Sequence, residues 1–205
     1  MNRRNIVVAS AILLLAGVST ASAQSVMPHT QWGVLAGANF ANLTGSDANG
    51  AKTRTAFVGG LSADFKLGSD FGVEIDGLYS QQGAKLSMEG GDVVLHLDYV
   101  QVPVLLRYDF PTHAPVAPFI TLGPSVGFRV KCELTQGSNN ASCTQFAGEN
   151  AKSVDVSGVV GAGLGFKVGK EELSVQARYG MGFTKVFSNS DSKNKVFSVM
   201  AGFAF

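Results

Sequence analysis

The sequence predicts an all-β fold: an eight-stranded antiparallel transmembrane β-barrel wound as an up-and-down meander. Three observations predict it. Apolar and polar residues alternate with period two along the chain, the breaks between alternating segments are short and long in turn, and the last segment, Lys195 to Phe205, stops on an aromatic residue. One face of that segment carries Phe197, Val199, Ala201, Phe203 and Phe205. The other carries Val196, Ser198, Met200, Gly202 and Ala204, a small and weakly polar set that suits the inside of a narrow barrel.

The N-terminal segment reads differently. Arg3 and Arg4 precede the apolar run Ile6 to Val18, and Ala21-Ser22-Ala23 follows before Gln24, so residues 1–23 are expected to be a cleavable signal peptide and 24–205 one outer-membrane β-barrel domain. A membrane-anchoring helix would need about 20 apolar residues, more than this run has. No cysteine lies near the cleavage site, so nothing points to a lipid tether. Beyond Gln24 no apolar stretch is long enough for a transmembrane helix, although mean hydropathy is slightly positive and only 15% of residues are charged. That balance suits strands with one face in lipid. Without the two leader arginines, the 15 acidic residues nearly match the basic ones, which speaks against a nucleic-acid partner.

Taken in order, the candidate strands are Gln31–Asn42, Arg54–Lys66, Phe71–Gln82, Val93–Tyr108, Val116–Val130, Ser153–Val168, Glu172–Phe187 and Lys195–Phe205. Leu67–Asp70, Asp109–Pro115 and Gly169–Glu171 are the short connections. Leu43–Thr53, Gly83–Asp92, Lys131–Lys152 and Ser188–Asn194 are longer, polar, and rich in Gly, Ser and Asn. An even strand count with short turns at one end and long loops at the other puts the turns and both barrel termini in the periplasm, in a bacterial outer membrane.

Aromatic spacing marks the membrane faces. Trp32 and Phe40, Phe57 and Phe65, and Phe71 and Tyr79 are same-parity pairs at equal spacing within their strands. That spacing spans roughly 26 Å of strand, or about 20 Å along the axis at the usual tilt, close to the apolar band of such barrels. Reversing strand direction assigns Trp32, Phe65, Phe71, Tyr108, Phe166 and Phe203 to the periplasmic girdle and Phe40, Phe57, Tyr79, Phe128 and Phe197 to the outer one. The opposite parity holds Asn39, Asp64, Lys66, Glu74, Asp76, Gln101, Arg107, Thr121, Ser125, Arg129, Asp155, Lys167, Gln176 and Arg178. A charge facing lipid near the midplane costs about 2–4 kcal/mol, so these residues are expected to point inward, where acids and bases can pair and Arg107 and Arg178 can neutralise Glu74 and Asp76. An eight-stranded interior is narrow enough for side chains to fill.

The stretch Tyr99-Val100-Gln101-Val102-Pro103-Val104-Leu105-Leu106-Arg107-Tyr108 resembles the fourth strand of the small porin-like outer membrane protein beta-barrel family, often labelled PorT-like. Tyr99, Gln101, Pro103 and Arg107 share one parity, as in that family, with Gln101 where Glu is commoner. Pro118 to Gly127 resembles the family's fifth strand, and Gly33, Gly37 and Asn39 fit its first. The resemblance covers the mature chain and implies an architecture similar to OmpA/OmpX-type eight-stranded barrels, but no chemistry. It also implies that Phe205 takes part in the signal read by the barrel-assembly machinery. Pro103 removes a ladder donor, so a bulge or an unpaired position is expected there.

No constellation points to catalysis, a cofactor or a metal. His29 and His113 map to the periplasmic end and His96 near the outer end, so they cannot share a site. His96 with Asp98 is the best candidate dyad for a lipid-modifying enzyme, and a solvated rim pair is the expectation. Glu74 and Asp76 could do acid and base work in a cleft, but the arginines offer neutralisation instead. Gly161, Gly163 and Gly165 lack the strand-to-helix context of a nucleotide loop and are expected to relieve crowding inside the barrel. Cys132 and Cys143 fall in one candidate loop, and an exported protein meets an oxidising periplasm, so a disulfide is expected, with two free thiols or a metal pair as the alternative. The sequence therefore predicts a non-enzymatic, monomeric barrel in contact with outer-membrane lipids, either structural or docking an extracellular partner through its loops. A small-solute channel and a lipid-modifying enzyme are the alternatives.

Overall fold

The computed structural model describes residues 30–48, 50–88, 91–137, 139–142, 152–188 and 191–205. The signal-peptide expectation, His29 and Cys143 fall outside them. Among the described residues, ten strands follow the chain: β1 (Thr30–Thr44), β2 (Ala51–Lys52), β3 (Arg54–Lys66), β4 (Phe71–Met88), β5 (Gly91–Asp109), β6 (Val116–Gln136), β7 (Asn139–Ser142), β8 (Val154–Val168), β9 (Glu171–Lys185) and β10 (Lys193–Ala204). The eight long ones pair antiparallel with their chain neighbours, and β10 pairs with β1, which closes the barrel. The Trp32 N–H donates to the Phe205 carbonyl at 3.3 Å and the Phe205 N–H to the Trp32 carbonyl at 2.8 Å, so the last residue belongs to the seam. The fold is the eight-stranded antiparallel barrel that the alternation implied.

The outer ends differ from the sequence reading. Gly83–Asp92 was expected to be a loop, yet β4 and β5 stay paired out to Met88 and Gly91. The segment Lys131–Lys152 likewise begins as strand, with β6 running to Gln136 and β7 pairing back onto it. Within Leu43–Thr53, residues Ser46–Ala48 form a 3-10 turn and β2 pairs with β4. Polar residues above the lipid do not end a ladder, because backbone pairing needs no apolar face. Gly83 shows the change of regime: its φ of +113° disfavours any L side chain, and an added Cβ would lie 2.0 Å from the Leu95 carbonyl oxygen.

At Pro103 the register is continuous: the pairs Ile75 with Val104 and Leu78 with Gln101 flank an unpaired stretch without slipping. A register shift lies instead between Asp98 and Tyr99, where β6 carries the extra residue Val130.

Candidate functional site

Trp32, Phe57 and Phe71 are about half exposed on the outer wall, at 55, 51 and 49%, and Phe40 and Tyr79 are exposed there too. Phe65 and Tyr108 are half-buried, Tyr108 because it sits against Phe71, ring centroids 4.8 Å apart. At the outer rim Phe40 meets Phe197 at 6.2 Å. Both pairs are direct cross-strand register partners.

The inward parity builds two charge clusters. Toward the periplasmic end, Arg107 donates from Nε to Asp109 Oδ1 and from Nη2 to Glu172 Oε1, each at 2.8 Å. Its Nη1 lies 3.6 Å from Glu74 and 3.9 Å from Asp64, and its guanidinium carbon sits 3.9 Å from the centre of the buried Phe119 ring. Lys66 donates to Asp109. Above this cluster, Arg178 uses all three nitrogens: Nε donates to Gln176 at 3.0 Å, Nη1 to Asp76 at 2.5 Å, and Nη2 to Glu74. Gly161, Gly163 and Gly165 make the room: a Cβ there would come within 2.6 Å of Thr121 Oγ1, 2.4 Å of Phe119 Cζ and 2.8 Å of Glu172 Oε1 respectively.

Not every inward expectation holds. Lys167, at the periplasmic end of β8, is exposed, because the strand has left the packed lumen there. Gln101 is half-buried and points inward, lining the same cavity as Arg178. Asp98, expected to be a solvated partner of His96, is only 3% exposed and accepts a hydrogen bond from the Tyr79 hydroxyl at 2.7 Å. It is buried because Tyr79, an outward girdle residue on the neighbouring strand, covers it. His96 lies above the girdle, where burial and the nearby Arg54 and Lys131 charges push its pKa below the usual value.

Sequence reasoning pointed Asn39 and Asp155 inward but did not find the upper-lumen network they join. Asn39 donates to Ser80 Oγ at 2.9 Å and accepts from Ser198 Oγ at 2.7 Å. Asn194 Nδ2 donates to Asp155 at 3.0 Å and to the Tyr99 hydroxyl at 3.2 Å, while Thr184 donates to Asp155. Over these sits an apolar cap of Leu95, Leu97, Tyr99 and Val186, with Leu43, Leu134, Phe187 and Cys132 packed against it. Leu95, Leu97 and Val186 continue the inward parity of Gln101 on β5 and Arg178 on β9, so the signal was present within the expected strands. A bond from Cys132 to Cys143 would tie the following loop to this cap and restrain the unfolded chain by about 3 kcal/mol. Protein purified without reductant should then have a mass two hydrogens below that of the dithiol; complete thiol labelling of untreated protein would exclude the bond.

The family model described as "Outer membrane protein beta-barrel domain" matches residues 22–188. A search of curated proteins finds no match. Among solved structures, neisserial surface protein A superposes with a TM-score of 0.54 at 17% identity, over 85% of this chain and 97% of that one. The attachment invasion locus protein of Yersinia pestis, in complex with the heparin analogue sucrose octasulfate, gives 0.46 at 16% identity, over 86 and 99%. The outer membrane enzyme PagL gives 0.48 at 16% identity, over 84 and 97%. At such identities the likeness is one of fold.

Proposed function

Because this chain belongs to the outer membrane protein beta-barrel domain family, we propose that it serves in the bacterial outer membrane as a non-enzymatic, monomeric barrel that docks an extracellular partner through its outer loops or supports the envelope. It would enter by a signal peptide and the barrel-assembly machinery. One observation carries this reading: a filled lumen beneath strands that project past the lipid. Among the described residues, the cavity beneath the apolar cap holds about 50 Å³ and the one within the Arg107 cluster about 20 Å³, each too small for a solute path. From Tyr79 to Met88, β4 continues roughly 30 Å along its own direction beyond the outer girdle, and β5 pairs with it throughout. A paired extension of this length carries the ends of β4 and β5 well beyond the lipid, as suits docking.

Planar-bilayer recordings test the reading against the channel alternative. The refolded protein should show little or no steady conductance, and large regular steps would overturn the sealed-lumen reading. For docking, cells bearing the protein should bind an immobilised extracellular-matrix or glycan surface more than cells lacking it. A variant with residues 86–93 replaced by Asn-Gly should lose that binding while still folding. Equal binding by all three strains would leave the structural role.

A further inference from the structure

Between Arg178 and the Tyr99 to Asn194 contact lies a cavity of about 50 Å³, bordered by Gln82, Gln101, Ser125, Asp155, Ser157 and Asn194 among others. Three of these polar side chains are nearly fully buried and carry an atom with no hydrogen-bond partner among the described residues: Gln82 Oε1, Ser125 Oγ and Asn194 Oδ1, on residues 1, 1 and 3% exposed. A buried polar atom left unpaired is costly, so three around one cavity imply a ligand. The atoms also share a chemistry. The amide oxygens only accept, and the Asp155 carboxylate beside them brings negative charge.

Asp155 is singular along the lumen. Asp64, Glu74, Asp76, Asp109 and Glu172 each face an Arg or Lys within ion-pair distance. Asp155 is 5% exposed and its partners among the described residues are the neutral Thr184 and Asn194. Arg178, which borders the cavity, is committed to Glu74, Asp76 and Gln176. A buried carboxylate without a counter-charge is expensive.

We propose that this chamber binds one monovalent cation, of the sodium or potassium kind, with a few waters, coordinated by Asp155, Asn194, Gln82 and Ser125. A cavity of this size admits such a group, at about 10–15 Å³ per water-sized occupant. A divalent metal fits poorly. Such ions take several carboxylates or imidazoles, and no cluster of three or more His, Cys, Asp or Glu occurs among the described residues. One carboxylate with amide and hydroxyl oxygens matches a singly charged hard cation. The site lies above the charge clusters and is independent of any docking role.

The test uses the full mature protein refolded in neutral lipid vesicles. Its thermal midpoint is compared in sodium, potassium and N-methyl-D-glucamine chlorides at equal ionic strength. At least one inorganic cation should raise the midpoint saturably, by about 2 °C or more, while the organic cation does not. Asp155→Asn should abolish the difference, and Ser125→Ala, a milder change, should raise the half-saturating concentration several-fold. Crystals soaked in rubidium chloride should show anomalous density in the cavity. Equal midpoints in all three salts, or rubidium-soaked crystals without that density, would overturn the proposal.

Discussion

Replacing Arg178 with methionine is expected to destabilise the barrel by about 3–5 kcal/mol, the usual cost of removing one partner from a buried ionic cluster. Arg178 is 4% exposed and serves Glu74, Asp76 and Gln176 at once, and Glu74 and Asp76 are themselves 2 and 1% exposed. Methionine fills a similar length but returns none of the three hydrogen bonds. Arg107 cannot compensate for Asp76, because its reach ends at Glu74, 3.6 Å from Nη1. A urea titration in lipid vesicles reads the loss. Adding Glu74→Gln and Asp76→Asn to the methionine variant should recover much of it, since the penalty lies in Asp76, left without a counter-charge, and in Glu74, left with Arg107 alone. A stability close to wild type for Arg178→Met alone would mean that the cluster contributes little.

The second large effect lies on the opposite face. Val102 is exposed on the outer wall between Val100 and Val104, also exposed, and its register partner Val126 is near the middle of β6. Val102→Arg places a guanidinium in hydrocarbon and should cost about 2–4 kcal/mol in the same titration. Gln101, one residue away, points inward and is half-buried, so Gln101→Ala should cost less. The reverse ranking would shift the strand by one residue and exchange its faces.

These pairs also show what could be read from the sequence. Where a strand crosses lipid, the solvent on each side dictates residue type, and parity alone separates Val102 from Gln101. Above the outer girdle both faces of β4 and β5 meet water or protein. The alternation there no longer reports a boundary, and the strands run on through Gly83 and beyond. The extra residue Val130 shifts β6 against β5, so Asp98 faces Lys131 and not Val130, which parity counting could not foresee. Which acid meets which base was also hidden. Glu74 reaches Arg178, distant in sequence, because barrel closure and strand tilt bring β4 and β9 to one level, and neither is a local property. The cap residues Leu95, Leu97 and Val186 lay within the expected strands, but parity alone does not show that inward apolar residues above the lipid close together over the lumen.

The seam between β1 and β10 sets the order of events during folding. Gly33 lies opposite Ala204, so the first stave cannot find its second neighbour until the whole chain is available. The closure entropy grows only logarithmically with loop length, which makes the seam a small equilibrium burden. Its effect falls on time: a contact of such long range forms slowly, and until it does both outer staves carry open edges able to pair with another chain. The seam is also tight, since a Cβ at Gly37 would lie 2.0 Å from the Val199 carbonyl oxygen. Bulk added at this line would prolong the interval in which the sheet stands open, and the damage would appear as aggregated protein and lowered yield before any change in the closed barrel's stability.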